Sequence, residues 1–301
     1  MLSLIVAGEL VFGLAFNVPR FFRPTMLQAF GLTNTQLGDM FAIYGLTAIV
    51  SYFPGGALAD HFTARSLISI SLFATAAGGL YMATFPSNTG MAVLYGFWGV
   101  TTIFLFWGAL IRATRDWGGD QTQGVAFGLL EGGRGLAAAS VAFLGVGLLG
   151  SYMPADANLA SVDEREAGFR AVILMYTAVT FLSGLLAWFA IPATPRPTGA
   201  RFDPLRGMSL VLKSPVVWAL SAIIVCAYCG YKGLDNYSLY AYQVLGRDEV
   251  EAARLTAYGA WTRPVSALLA GVIADRFTPS RSILVMFVTL CASYALWAGM
   301  A

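Results

Sequence analysis

Long apolar runs alternate with short polar stretches along the whole chain. The runs cover roughly 2–29, 35–58, 66–86, 90–112, 123–150, 169–192, 215–241, 253–274 and 282–301. A helix needs about 20 mainly apolar residues to cross a bilayer, so nine spans are expected. Lipid offers no partner for a backbone amide, and a run of this length satisfies its own amides only as a helix. The expected fold class is therefore all-α, a polytopic membrane bundle. The first run contains Pro19 and Pro24. Each removes an N–H and crowds the carbonyl four residues back, so a kink is expected there. No small-residue cleavage site closes that run, and it reads as a span, not a signal peptide. The segment 193–213 is polar, basic and rich in proline. It is the expected cytoplasmic linker between an N-terminal six-helix bundle, 1–192, and a partial bundle of three helices, 214–301.

One pattern occurs twice. Gly56-Ala57-Leu58-Ala59-Asp60-His61-Phe62-Thr63-Ala64-Arg65 ends one apolar run and leads into the next. Gly271-Val272-Ile273-Ala274-Asp275-Arg276-Phe277-Thr278-Pro279-Ser280-Arg281 does the same. A Tyr-Gly pair precedes each copy, Tyr44-Gly45 and Tyr258-Gly259. A repeat of hydrophobic segments at this distance points to two related membrane halves. The Gly-x-x-x-Asp-x-x-x-x-Arg turn between spans resembles the loop motif of the major facilitator superfamily. That resemblance implies twelve spans, six per half, with the present chain holding the first half and three spans of the second. A C-terminally truncated member is the expectation. The resemblance also implies that Gly56, Asp60, Arg65, Arg112, Gly271, Asp275 and Arg281 form a cytoplasmic gate that latches the helix ends in one state of the carrier. The alternative, a static topology signal, stays open. Residues 112–120, followed by Gly128-Leu129-Leu130-Glu131-Gly132-Gly133-Arg134-Gly135, resemble the branch of sugar-phosphate and organic-anion carriers, with uncharacterised bacterial inner-membrane relatives.

Composition narrows the picture. The chain is 57% hydrophobic and 11% charged, against about 25% charged in soluble domains. Most of it is expected in lipid or against other spans. A net charge of +2 suggests no nucleic-acid partner. Cys226, Cys229 and Cys291 lie in apolar runs and read as packing residues, without metal or cofactor. His61, the one histidine, reads as a surface residue or a pH-sensitive one. Loop Lys and Arg residues divide nine against four, with Arg65, Arg112 and Arg281 on the richer side and Arg165 and Arg247 on the poorer. The positive-inside rule then places the Asp60 turn and the N-terminus in the cytoplasm of a multi-pass inner (plasma) membrane protein. A monomer in contact with membrane lipids is expected.

Charges inside the runs carry the functional expectation. An ionisable residue there costs about 2.5–3.5 kcal/mol on insertion scales and usually faces a cavity or partner. Five cations (Arg20, Arg23, Arg134, Lys232, Arg263) stand against three acids (Glu9, Glu131, Asp235). Glu131 with Arg134, and Lys232 with Asp235, share a helical face three residues apart and can form internal pairs. Arg20, Arg23 and Arg263 have no carboxylate at that spacing. They are expected to face an anionic ligand, or in the case of Arg23 to snorkel outward. Under the repeat, Arg20 and Lys232 lie at similar depth on equivalent spans. This looks like the arrangement of the organophosphate/phosphate antiporters, except that lysine offers a point charge without a planar fork. Carboxylate, sulfonate, sugar acid and sugar phosphate stay open as substrates.

The substrate-binding candidates are Arg20, Lys232, Arg134, Arg263, Tyr44, Tyr231 and Tyr258. Trp107, Tyr228, Asn236, Tyr237 and Trp261 are plausible wall residues. Glu9, Glu131 and Asp235 are the coupling candidates, able to carry a proton if burial raises their pKa; anion exchange needs no such group. A secondary carrier of a small anion is the leading reading, and a non-transporting sensor of such an anion the alternative. An enzyme would need a metal cluster or a nucleophile with a base, and ATP-driven transport a phosphate-cradling loop. Neither pattern occurs.

Overall fold

The computed structural model describes residues 1–119, 122–154, 159–193, 213–267, 269 and 279–299, and among them there is no strand. Helices stand at the place of each apolar run. They are α1 (Leu2–Leu10), α2 (Val18–Phe21), α3 (Arg23–Ala29), α4 (Asn34–His61), α5 (Ala64–Met82), α6 (Asn88–Val100) and α7 (Gly108–Gly118). They continue with α8 (Gln123–Tyr152), α9 (Val162–Ala190), α10 (Pro215–Lys232), α11 (Tyr237–Gln243), α12 (Glu249–Ala260) and α13 (Pro279–Ala298). Four helical stretches are long and apolar enough on their own to cross a membrane, or six if each bent pair counts as one span. The expected nine is thus not reached by length and composition alone among the described residues. Residues 194–212 of the expected linker 193–213, and Gly271 and Asp275, lie outside them.

Polar residues start the helices where the sequence turns. Thr33 and Ser161 each close a capping box, with Gln36 and Glu164 respectively. Thr63, Ser87 and Asp248 accept from the third residue of α5, α6 and α12. These side chains satisfy amides that would otherwise have no intrahelical partner.

The first run breaks as its prolines demand, though not only at them. Leu2–Leu10 and Gly13–Phe21 meet at 46°. The second piece opens on a π turn, Gly13–Asn17, with the Asn17 amide donating to the Phe12 carbonyl at 3.3 Å. Pro19 supplies no amide to the carbonyl of Ala15, so the regular ladder cannot pass through this turn. Pro24 likewise leaves the Arg20 carbonyl without its helical donor, and the Ser238 hydroxyl takes that carbonyl at 2.9 Å. A second π turn, Thr101–Trp107, joins α6 to α7. There Thr102 Oγ1 donates to the Trp98 carbonyl at 2.7 Å.

Packing gathers α1, α5, α8 and α9 on one side and α4, α6 and the Thr101–Trp107 turn on the other. α12 lies against α8, α2, α3 and α11. The buried core runs through Phe21, Phe22, Met26, Tyr95, Trp98 and Tyr176. Small residues permit the closest approaches: a Cβ on Gly55 would stand 3.0 Å from the Phe104 carbonyl oxygen, and one on Gly99 2.6 Å from that of Tyr44. Gly56, beside Gly55, meets nothing within 4 Å.

Candidate functional site

The two π turns face each other across a cavity. Phe16 and Asn17 from one, and Ile103 and Trp107 from the other, line a chamber of ≈ 570 Å³ together with Glu9, Arg20, Glu131, Arg134, Lys232 and Arg263. Tyr44, Tyr228 and Tyr231 complete its aromatic wall. Six of the seven charged residues that the runs bring into the membrane core besides Arg23 therefore border one space. The seventh, Asp235, lines an adjoining chamber of ≈ 490 Å³ with Arg23, Phe41 and Asn236. Phe16, Tyr44, Tyr228 and Lys232 border both chambers.

The charges sort into two groups. In the first, Glu9 and Glu131 alternate with Arg134 and Arg263. Arg134 lies 3.3 Å from Glu9 and 2.6 Å from Glu131. Arg263 lies 3.5 Å from Glu9 and 3.1 Å from Glu131. Asn17 Nδ2 donates to Glu9 Oε1 at 3.0 Å. Two cations and two carboxylates close a ring of no net charge joining α1, α8 and the residues that follow α12. In the second group Asp235 serves two cations at once, with Arg20 Nε and Lys232 Nζ each 2.6 Å from one of its oxygens. Arg23 stands beside this group and donates to Asn236 Oδ1. Three cations here stand against one carboxylate, which Arg20 and Lys232 hold, so the excess positive charge of the interior sits at this end.

Aromatic faces support the same cations. Arg20 lies 5.1 Å from the Tyr231 ring centre, and Lys232 4.5 Å from that of Phe16. Such contacts contribute about 0.5–2 kcal/mol, more as water is excluded. Phe16 is itself held edge-on by Tyr44, with centroids 4.7 Å apart, and Tyr44 OH meets Thr102 Oγ1 at 2.5 Å. The tyrosine thus ties the cation platform to the second π turn.

Several expectations change here. Arg20 and Arg263, which have no carboxylate three or four residues away, find partners across helices instead of along one. Arg20 and Asp235 are 215 residues apart, beyond any helical spacing rule. Arg23, free to snorkel by sequence, turns inward and is 4% exposed. Tyr258 is 56% exposed, packs edge-on against Phe143, and is not among the residues lining either chamber. Phe12, Phe16, Asn17 and Tyr52 line the central chamber without having been expected to. Glu9, Phe12 and Phe16 recur at steps of three and four residues, and the π turn brings the adjacent Asn17 to the same wall.

At the proposed gate, Arg112 Nη1 donates to the Ala59 carbonyl at 2.5 Å, capping the last turn of α4. A guanidinium there also meets the negative end of the helix dipole. Arg65 stacks on Trp188 with its guanidinium carbon 4.6 Å from the ring centre, tying the start of α5 to the end of α9. Asp60 and Arg281 are exposed, as is His61, whose Nδ1 lies 2.8 Å from the Ala57 carbonyl oxygen.

A family model described as Major Facilitator Superfamily matches residues 5–301. The chain belongs to the Major Facilitator Superfamily. Among curated proteins this superfamily member is 27% identical over 252 residues to the inner membrane protein YqcE of Escherichia coli K12, covering 82% of the chain and 57% of that protein. It is 25% identical over 305 aligned positions to the inner membrane protein YihN of the same strain, covering 97% and 69%. It is 28% identical over 284 residues to the probable nitrate/nitrite antiporter NarK1 of Thermus thermophilus, covering 93% and 60%. The chain therefore spans little more than half to about two thirds of the length of these relatives. Members of the superfamily are multi-pass transporters, not enzymes.

Proposed function

We propose that this superfamily member is a secondary carrier of a small anion across the inner membrane, working by alternating access. The observation that carries the reading is the Asp235 carboxylate held between Arg20 and Lys232 at 2.6 Å from each. Two cations at the wall of a ≈ 570 Å³ chamber are kept by an internal carboxylate that a substrate anion can replace. Burying bare cations would cost several kcal/mol apiece. An internal anion avoids that cost while the chamber holds no substrate, and yields when a better ligand arrives. The ring of Glu9, Glu131, Arg134 and Arg263 has no such excess, so Arg20 and Lys232 hold the anion and the ring positions the helices around it.

Two relatives are inner membrane proteins by name, and a third is named for nitrate and nitrite. These names support an anionic cargo and the inner membrane, with nitrate added to the sugar acids, sugar phosphates, carboxylates and sulfonates that the sequence leaves open. Coupling is either exchange of one anion for another or proton movement through Asp235, the carboxylate released when substrate takes its cations. A 1–192 bundle rocking against the rest about the 193–213 linker, with the N-terminus in the cytoplasm and the protein a monomer, completes the reading.

The test is uptake into proteoliposomes from a panel of nitrate, a sugar acid, a sugar phosphate and a sulfonate. At least one is expected to be carried, and Arg20→Ala and Lys232→Ala are each expected to abolish that uptake while the protein still reaches the membrane. Unchanged uptake in both variants removes the site. Saturable binding without uptake of any panel member would favour a sensor.

A further inference from the structure

We propose that the ≈ 490 Å³ chamber beside Arg23 is a second anion site, for a small singly charged oxyanion such as a carboxylate or nitrate, which passes its anion to the central chamber by way of Lys232. This rests on the reading of the central chamber as an anion site.

Arg23 is the interior cation whose charge is least answered. It is 4% exposed, and no carboxylate lies within 4 Å of it among the described residues. One of its five donors goes to the neutral Asn236, and its Nε makes no hydrogen bond. A buried cation in that position costs several kcal/mol until an anion joins it. The chamber that Arg23 lines has the parts for one. Phe41 lies 5.7 Å under the guanidinium and 5.5 Å from Lys232 Nζ, making a floor that favours cations above it. The amides of Asn34 and Asn236 are further polar groups in its wall. Asn34 and Gly38 are exposed and mark its mouth.

Charge sets the ligand class. Arg23, Lys232 and Asp235 leave this chamber one positive charge, which a monovalent anion balances and a phosphate dianion overshoots. The planar fork of an arginine suits a planar oxyanion. Lys232 gives the connection: it lines both chambers, whereas Arg23 lines only the outer one and Arg20 only the central one of the two. A lysine stem is flexible and its ammonium can follow an anion from one chamber to the other.

The experiment is calorimetric titration of the purified protein with sodium nitrate and, separately, sodium acetate in a non-coordinating buffer. The wild type is expected to take two anions of at least one probe. Arg23→Gln and Arg20→Gln are each expected to take one, and Arg23→Lys to bind at its site about tenfold more weakly for loss of the fork. Asn236→Asp supplies a built-in carboxylate at Arg23, so it is expected to lose one bound anion while its melting temperature rises; this variant guards against loss of binding through misfolding. If Arg23→Gln and Asn236→Asp leave stoichiometry and affinity unchanged, the second site is overturned whatever the central one does. If instead Arg20→Gln and Lys232→Gln change nothing while Arg23→Gln removes binding, the central reading fails and the Arg23 site alone survives.

Discussion

At the scale of single residues, the decisive feature is one carboxylate serving two cations. Asp235→Asn removes the shared partner of Arg20 and Lys232, and breaking a buried pair in this way costs about 3–5 kcal/mol. The variant is expected to melt lower than the wild type without ligand. It is also expected to gain more stability than the wild type from the carried anion, because the anion no longer competes with an internal one. Thermal unfolding with and without substrate checks both signs; equal ligand-induced shifts in the two proteins would remove the competition argument. Uptake driven by a proton gradient is expected to disappear in the same variant if Asp235 carries the proton, and exchange to persist. How much of this was legible in the sequence follows from distance along the chain. Lys232 and Asp235 are three residues apart, and helical periodicity places them together. Arg20 reaches the same carboxylate from 215 residues away, and the partnership exists only once the helices have packed. For that reason arginines that looked unpaired in sequence are paired in the fold, and Arg23 is left with the unanswered charge.

Among the elements, the broken first span shows how a local defect becomes a contact between distant segments. Pro24 withholds the amide that the Arg20 carbonyl would use in a regular helix, and the Ser238 hydroxyl replaces it at 2.9 Å. Ser238→Ala is expected to destabilise by about 1–3 kcal/mol, the cost of a buried carbonyl left without a donor. In a Pro24→Ala background the helix regains its own donor, so the same substitution is expected to cost less. The double-mutant cycle therefore gives a coupling of about 1 kcal/mol or more, and additive effects would show that Ser238 does not depend on the proline. Helix packing offers a second case: a Cβ on Gly99 would stand 2.6 Å from the Tyr44 carbonyl oxygen. Gly99→Ala is expected to cost about 1–3 kcal/mol as α4 and α6 are forced apart, read as a lower melting temperature. The sequence predicts a kink at Pro19 and Pro24 without saying that a π turn would carry part of it. Neither proline can announce that Phe12, Phe16 and Asn17 would be turned toward the cavity, because that rotation depends on a hydrogen-bond register that no residue type encodes by itself.

Over the whole molecule, 1–192 and the later helices meet through the central charges and through a further set of side-chain ties at helix ends. Gln28 Nε2 donates to Tyr242 OH at 3.1 Å, Arg23 donates to Asn236, and Arg165 Nε lies 2.6 Å from Glu249 Oε1. α10, by contrast, buries no residue along Pro215–Lys232. The apolar runs and the repeated turn made an all-α membrane protein of this superfamily readable from the residues alone. Which ends meet was not readable, since Arg165 and Glu249 lie in the first turns of α9 and α12, where the sequence is as polar as a solvated loop. The Glu249 side chain is 3% exposed and that of Arg165 15%, so this pair is a buried tie and not a surface one. A carrier that opens at this end must break it, and the energy of the pair then enters the balance between its two states. Arg165→Gln and Glu249→Gln are each expected to favour the state open at this end. In a background with Cys226, Cys229 and Cys291 changed to serine, a reporter cysteine at Asn34→Cys is expected to react faster with a water-soluble maleimide in either variant than in its absence. The charge-swapped pair, Arg165→Glu with Glu249→Arg, is expected to restore the slower rate. Equal labelling in all of these proteins would mean that the tie does not set the balance, and that the closed end is held by the Arg20, Lys232 and Asp235 cluster instead.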